Sequence, residues 1–186
     1  MGLLTIIRKQ RRKEREMRIL MLGLDNAGKT TIVRKLSGDT DLSKVMPTLG
    51  FNINTLIHQS YTLNIWDVGG QKTLRAYWRN YFEATDAIIW VVDSTDSDRL
   101  ADTAEELNKL LLEERLAGAS LLVFANKQDL SGALTPKEIE DALDLPSKPT
   151  SHKWRVLACS ATTGFNLREG LDWIVKEVGA RLYSLE

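Results

Sequence analysis

Gly23-Leu24-Asp25-Asn26-Ala27-Gly28-Lys29-Thr30 is the stretch on which the reading of this chain turns. It satisfies G-x-x-x-x-G-K-[ST] at every defined position. Met17–Leu22, just ahead, is a compact apolar run that reads as a buried strand. Lys29–Leu36, just behind, sets Ile32, Val33 and Leu36 at helical spacing. A glycine turn between a strand and a helix suits an anion, because the glycines let backbone N–H groups close on phosphate oxygens and helix N-termini favour negative charge. Asp25, Asn26 and Ala27 complete the loop, and Thr31 follows it. Lys29 is otherwise badly placed, since a cation in the first helical turn opposes the helix dipole. Phosphates lying between it and the amides remove that conflict, and the Thr30 hydroxyl becomes a candidate ligand of Mg²⁺. An ordinary strand–turn–helix corner with a solvated lysine is the plainer alternative.

Outward from this stretch the chain alternates strand and helix. Residues 37–50 are polar, contain Gly38, Gly50 and Pro47, and read as a loop. Phe51–Ile57 and Tyr61–Trp66 are β-rich, and the three residues His58-Gln59-Ser60 between them predict an antiparallel hairpin. Ala87–Val92 and Ser120–Ala125 are apolar throughout, as strands covered on both faces should be. Arg99–Leu116, between them, has helical periodicity. Thr135-Pro136-Lys137-Glu138 is a helix start, with Thr135 as cap, Pro136 in first position and Glu138 closing a capping box. Trp154–Ala158 is a last strand and Leu167–Tyr183 a last amphipathic helix. The pattern predicts an α/β fold, mainly parallel with one antiparallel hairpin strand and covered by helices. Ligands of such sheets bind beyond the carboxyl ends of the strands, and three of those ends carry motifs.

The second motif, Asn126-Lys127-Gln128-Asp129, follows the strand Leu121–Ala125. A carboxylate at Asp129 can accept from N1–H and the exocyclic N2 amine of guanine together, whereas adenine presents an acceptor at N1 and no N2 amine. Leaving such a group unpaired is a strong basis for rejection. Asn126 is expected to tie this loop to the phosphate loop, and the Lys127 stem to cover one face of the base. Ser160-Ala161-Thr162, after the last strand, offers the Ala161 N–H to the guanine carbonyl.

The third motif is Trp66-Asp67-Val68-Gly69-Gly70-Gln71. Asp67 can hold Mg²⁺ through water. Gly70 can bring its N–H to a terminal phosphate and let the loop leave when that phosphate leaves. Gln71 can orient an attacking water. Thr48 can add its hydroxyl to Mg²⁺ when its loop is ordered; as a turn threonine after Pro47 it needs no such role.

Composition sets the outer limits. The chain has 186 residues with 25 Lys+Arg against 25 Asp+Glu, which is room for one domain and no net charge. The neutrality hides a basic arm: Arg8, Lys9, Arg11, Arg12, Lys13, Arg15 and Arg18 stand against Glu14 and Glu16, so the rest of the chain is net acidic. That distribution, with no RNA-binding motif, argues against a nucleic-acid partner. The single cysteine, Cys159, excludes an intramolecular disulfide and a Cys-rich zinc site, and a reducing compartment fits.

Taken together, Gly23–Thr30, Pro47-Thr48-Leu49-Gly50-Phe51-Asn52, Trp66–Gln71, Asn126–Asp129 and Ser160–Thr162 resemble the ADP-ribosylation-factor (Arf and Arf-like) small GTPases along essentially the whole chain. Asp25 and Trp66 resemble this branch more than the Ras branch. Met1–Ile6, Lys13–Glu16 and Glu113–Ala119 narrow the resemblance to one Arf-like subfamily. The resemblance implies a P-loop small-GTPase fold, with a six-stranded mainly parallel sheet, one antiparallel hairpin strand and helices on both faces. It implies GTP and GDP as bound nucleotides and Mg²⁺ as cofactor, with Thr30, Thr48 and Asp67 (through water) as metal residues and Gln71 as catalytic residue. Hydrolysis is expected to be slow, because the loop from Ser37 to Gly50 holds Lys44 and no arginine. A GTPase-activating protein is expected to supply one, worth about 10³–10⁵ in rate.

The resemblance also implies an effector surface of Phe51, Trp66 and Tyr81, with Trp78 nearby and readable either as surface or as core. Trp90, Trp154, Trp173 and Cys159 read as core, and His58 and His152 as loop residues without evident chemistry. Residues 1–16 are expected to form an amphipathic basic helix ahead of a GTP-binding domain over 17–186, since Leu3, Leu4, Ile6 and Ile7 recur at helical spacing. Gly2 invites acylation, but Ile6 stands where that motif wants Ser or Thr, so at most weak peripheral membrane contact is expected. The implied partners are tubulin-folding cofactor D, a prenyl-binding chaperone of the phosphodiesterase-delta type and small helical Arf-like-binding effectors. A cytoplasmic, cytoskeleton-associated monomer is expected. A nucleotide-binding scaffold with negligible turnover and an Arf-type membrane-trafficking GTPase are the alternatives.

Overall fold

Three apolar strands, β1 (Glu16–Leu22), β4 (Ala87–Asp93) and β5 (Ser120–Asn126), form the buried centre of a six-stranded sheet. The computed structural model describes residues 14–147 and 151–183. β2 (Phe51–His58), β3 (Tyr61–Val68) and β6 (Trp154–Ala158) complete the order β2-β3-β1-β4-β5-β6. Every neighbouring pair is parallel except β2–β3. The sequence-based architecture is therefore met.

The alternation of side chains along each strand feeds two cores. Ile19, Met21, Ile89 and Phe124 face α1 (Lys29–Leu36) and α4 (Leu167–Tyr183), packing with Ile32, Ile174 and Val178. Leu20, Leu22, Trp90 and Val123 face α2 (Leu100–Leu111) and α3 (Pro136–Ala142), packing with Leu107, Leu110 and Ile139. Each fully buried side chain of this size contributes roughly 1.5–3 kcal/mol, so the sheet is a rigid platform for the loops at its edge. Trp90 and Cys159 are buried as expected, whereas Trp154 and Trp173 pack half-buried at the margins.

Two elements differ from expectation. The hairpin turn is two residues, not three: His58 pairs with Tyr61, and Gln59 and Ser60 carry positive φ of 47° and 67°. Such turns match the twist of the flanking strands, which is why His58 joins β2. The helix expected over Arg99–Leu116 spans only Leu100–Leu111, entered through a 3₁₀ turn at Ser97–Arg99 where the Asp96 side chain accepts the Arg99 N–H. Leu112 is 84% exposed while Leu116 is fully buried, so this i, i+4 pair cannot share one helical face. The chain leaves the helix there and turns into β5 through Glu114–Leu116. The capping box forms as expected, with Thr135 N–H donating to Glu138 Oε2 at 2.8 Å. The helix expected over residues 1–16 falls outside the described residues for 1–13, and Glu16 is already the first residue of β1.

Candidate functional site

Parallel strands bring the ends of β1, β3, β4, β5 and β6 to one edge of the sheet, and the motif residues gather there. Gly23 leaves β1 with φ +144°, and a Cβ on it would lie 2.3 Å from the Val91 carbonyl oxygen. Gly28 closes the loop with φ +99°, where a Cβ would lie 2.3 Å from Asn126 Nδ2. Both positions therefore demand glycine on conformation and on space. α1 starts at Lys29, with no acidic residue in its first turn. Lys29 is buried, and its ammonium donates to the carbonyls of Gly23 at 3.0 Å and Leu24 at 2.8 Å. Burial pulls its pKa down to about 8, against the attraction of Asp67 and Asp25. A desolvated cation wrapped by its own loop gains from a phosphate that completes its charge. Beside it is a cavity of about 230 Å³, lined on one side by Asp25, Asn26, Gly28, Lys29, Thr30 and Thr31, and on the other by Thr48, Gly70 and Gln71.

Three oxygens converge at its floor. Thr30 Oγ1 donates to Asp67 Oδ2 at 2.7 Å and lies 2.7 Å from Thr48 Oγ1, which is 3.4 Å from the same carboxylate oxygen. Burial raises the Asp67 pKa, with bonds from Thr30 and Thr48 and the Lys29 charge opposing the rise. Its other oxygen, Oδ1, is buried without a hydrogen-bond partner. Two hydroxyls and a carboxylate with an orphaned oxygen make a hard donor set, which fits Mg²⁺. The residues expected to serve the metal are thus brought together.

The loops that carry Thr48 and Gly70 are stitched to each other. Gly69 N–H donates to the Gly50 carbonyl at 2.9 Å, and a Cβ on Gly69 would lie 2.5 Å from the Thr48 carbonyl oxygen. Gly70 packs flat on the phosphate loop: a Cβ there would lie 2.3 Å from the Gly23 oxygen and 2.6 Å from the Asp25 nitrogen. Gln71 follows, half-buried at the cavity wall.

Two arginines that motif reading missed also reach the phosphate loop. Arg99 donates to Asp25 Oδ1 at 3.0 Å and to the Asp25 carbonyl at 3.1 Å, and pairs with Asp96 at 2.6 Å. Arg75 is buried, donates to the Gly70 carbonyl at 3.0 Å, grips both oxygens of Asp102 and stands 3.7 Å from Asp25 Oδ1. The Asp25 carboxylate, expected among the nucleotide contacts, pairs with these guanidiniums, and Asp25 also lines the cavity. Charge pairing between segments far apart in the chain leaves no local signal.

In the base loop, Asn126 is buried and donates Nδ2–H to the Ala27 carbonyl at 2.8 Å, the tie expected of it. Lys127 sits at φ +67° and pairs through Nζ with Asp93 Oδ2 at 2.6 Å. Asp93, at the end of β4, is the other residue motif reading missed. Burial raises its pKa, but bonds from Lys127 and Thr95 outweigh that and hold the carboxyl below its ordinary value. Asp129 is exposed. Ser160 is buried, and its hydroxyl accepts the Thr163 N–H at 3.1 Å, shaping the turn. The Ala161 N–H, expected at a guanine carbonyl, donates instead to Asn126 Oδ1 at 3.0 Å. A buried amide oxygen needs a donor, and this N–H supplies one.

Phe51, Trp66 and Tyr81 form one surface cluster. Phe51 stacks on Trp66 at 5.3 Å and 13°, and Tyr81 lies 5.1 and 6.0 Å from the two rings. The Arg18 guanidinium covers the Trp66 ring at 3.9 Å and donates to the Tyr81 carbonyl at 2.9 Å. Leu49 and Ile53 extend the exposed apolar face. Trp78 belongs to the core instead: it is 4% exposed and meets Trp90 edge-on at 5.8 Å. His58 Nε2 contacts Asp172 at 2.6 Å, and His152 is buried with Nδ1 on the Ala119 carbonyl, so both histidines have structural partners.

Known proteins resemble this chain along nearly its whole length. A family model described as the ADP-ribosylation factor family matches residues 3–178. Over all 186 residues, and the full length of each relative, the chain is 62% identical to ADP-ribosylation factor-like protein 2 of Arabidopsis thaliana and 60% identical to that of Dictyostelium discoideum. These are the subfamily to which Met1–Ile6, Lys13–Glu16 and Glu113–Ala119 point. Among solved structures, the Arl6 BBS3 small GTPase of Trypanosoma brucei with bound nucleotide analogue GppNp matches with a TM-score of 0.80 and 32% identity, over 88% of this chain and 98% of that one.

Proposed function

The chain belongs to the ADP-ribosylation factor family of small GTPases, and from that premise we propose how its residues divide the work of the switch and which partners read it. It is a GTPase that binds GTP and GDP with Mg²⁺. In this reading the amides of Gly23–Thr30 and the Lys29 ammonium hold the phosphates. Thr30, Thr48 and, through water, Asp67 would hold Mg²⁺, which when bound would neutralise charge on the phosphate oxygens. Gly70 gives its N–H to the γ-phosphate and Gln71 orients the attacking water. Asp129 reads the guanine edge, with Asn126, Lys127, Ser160 and Ala161 forming its loop. Arg75 and Arg99 both approach the phosphate loop but are committed to carboxylates. That supports an arginine supplied in trans by a GTPase-activating protein, worth about 10³–10⁵ in rate.

The observation that carries the switch reading is the continuity from Thr48 to the aromatic cluster. Thr48 meets Thr30 at the metal floor, Gly50 is bonded to Gly69, and Phe51 stacks on Trp66. Loss of a γ-phosphate that orders Thr48 and Gly70 is transmitted to Phe51, Trp66 and Tyr81 within a few residues. The partners that this face recruits are tubulin-folding cofactor D, a prenyl-binding chaperone of the phosphodiesterase-delta type and small helical effectors. The cellular role is tubulin folding, microtubule biogenesis and release of lipidated cargo. The protein works as a cytoplasmic monomer, cytoskeleton-associated through its partners, with at most weak peripheral membrane contact through residues 1–16 and no nucleic-acid partner.

The test is capture from a lysate on protein loaded with GDP or with a non-hydrolysable GTP analogue, followed by identification of what binds. Cofactor D and the prenyl-binding chaperone should be recovered, at least one of them only with the GTP form, and Trp66→Ala should abolish that nucleotide-dependent capture. Recovery of the same proteins in both states would sink the switch reading, and absence of both named proteins would sink the partner assignment.

A further inference from the structure

Two buried side chains of one short helix hold consecutive carbonyls of the glycine pair before Gln71. In the 3₁₀ helix Arg75–Tyr81, Trp78 Nε1–H donates to the Gly69 carbonyl at 2.9 Å and Arg75 Nε–H donates to the Gly70 carbonyl at 3.0 Å. The family assigns the neighbouring aromatics to a surface, but Trp78 is core, so its indole N–H is available for an internal role.

A peptide unit is planar and trans, so a carbonyl and the N–H of the same unit point in opposite directions. Fixing the Gly69 carbonyl from the Trp78 side therefore directs the Gly70 N–H away from Trp78. Fixing the Gly70 carbonyl sets the next unit and with it the root of the Gln71 side chain. On one side Gly70 is stopped by the phosphate loop, where a Cβ would lie 2.3 Å from the Gly23 oxygen and 2.6 Å from the Asp25 nitrogen. What an unrestrained Gly-Gly pair retains is rotation of its peptide planes. The two donors remove that freedom. They are themselves held: Trp78 edge-on against Trp90, and Arg75 by both oxygens of Asp102 at 3.1 and 3.2 Å.

We propose that Trp78 and Arg75 are positioning residues, a two-donor clamp that aims the Gly70 N–H at the terminal phosphate and sets Gln71 for water. The proposal rests on the reading of Gly70 and Gln71 given above. Its signature is selectivity. GDP has no γ-phosphate, so a loosened Gly70 weakens GTP binding and spares GDP.

The experiment measures GTP-analogue and GDP affinities and single-turnover hydrolysis for Trp78→Phe, which keeps a ring against Trp90 and loses the donor. Replacement of Trp78 by benzothienylalanine, an isostere without the N–H, serves if Trp78→Phe does not fold. The GTP:GDP affinity ratio should fall about tenfold, the scale of one hydrogen bond to a charged group, and hydrolysis should fall at least as far. Arg75→Lys, which keeps a cation for Asp102 but cannot also serve Gly70, should slow hydrolysis with GDP affinity retained. An unchanged ratio with unchanged hydrolysis, or equal loss of both nucleotides, overturns the clamp. Gln71→Leu separates the two readings: normal hydrolysis in that variant rejects the role of Gln71, whereas slow hydrolysis there with normal Trp78 variants rejects the clamp alone.

Discussion

Asn126 and Ala27 lie ninety-nine residues apart in the chain and are joined by a buried hydrogen bond of 2.8 Å, from the Asn126 amide to the Ala27 carbonyl. This bond couples the loop that reads a base to the loop that holds phosphate. The other end of the same amide accepts the Ala161 N–H, so one side chain fixes three loops.

Asn126→Ala should speed nucleotide release by roughly 10²-fold, since two buried backbone groups lose their partners at about 1–3 kcal/mol each. Gly28→Ala should act similarly, because its Cβ would meet Asn126 Nδ2 at 2.3 Å on a left-handed backbone. Release of a fluorescent nucleotide from the two single variants and the double variant measures the coupling. Fully additive effects would show that Gly28 and Asn126 act independently.

Asp129→Asn should turn preference from guanine toward xanthine nucleotides. A carboxylate offers two acceptors to N1–H and the N2 amine, whereas an amide offers one acceptor and one donor, matching N1–H and the C2 carbonyl of xanthine. Competition between GDP and XDP reports the change, and retained guanine preference would place the base reader elsewhere.

Metal dependence should centre on Thr30. Chelation of Mg²⁺ should accelerate GDP release from the unchanged protein by at least about tenfold, and Thr30→Ala should release quickly with or without chelator. A Thr30→Ala variant that still responds fully to chelation would remove this hydroxyl from the metal site.

The Asp93–Lys127 pair gives a pH dependence of definite sign. The Asp93 carboxyl lies below its ordinary value in the folded protein, so the unfolded chain binds the proton more readily. Its stabilisation is therefore present above the ordinary value of about 4 and is lost as pH falls through the lowered native value. Thermal unfolding should find Asp93→Asn less stable than the unchanged protein at pH 7, with the gap closing only below about pH 4. A gap that widens on acidification contradicts the assignment.

Most of the fold and much of the site are legible in one dimension because their signals are local. Apolar continuity marks β4 and β5, the capping box marks the start of Pro136–Ala142, and the spacing from Gly23 to Thr30 marks the phosphate loop. Periodicity carries the helix after Arg99 on to Leu116 because it cannot see that Leu112 faces water while Leu116 is buried.

The sequence by itself determined the order of elements, the glycines at Gly23 and Gly28, and the residue types able to meet phosphate, magnesium and guanine. Each of these is a property of neighbouring residues, set by backbone sterics and side-chain chemistry. Tertiary structure alone decided that Trp78 is core, that Arg75 and Arg99 are spent on Asp25, Asp96 and Asp102, and that Asp93 holds Lys127. The pairs Arg99–Asp25 and Lys127–Asp93 join separate strand-end loops. Nothing in local spacing selects one carboxylate over another until the parallel sheet brings those loops to a single edge, where Asp93, largely withdrawn from water, needs the partner that Lys127 supplies.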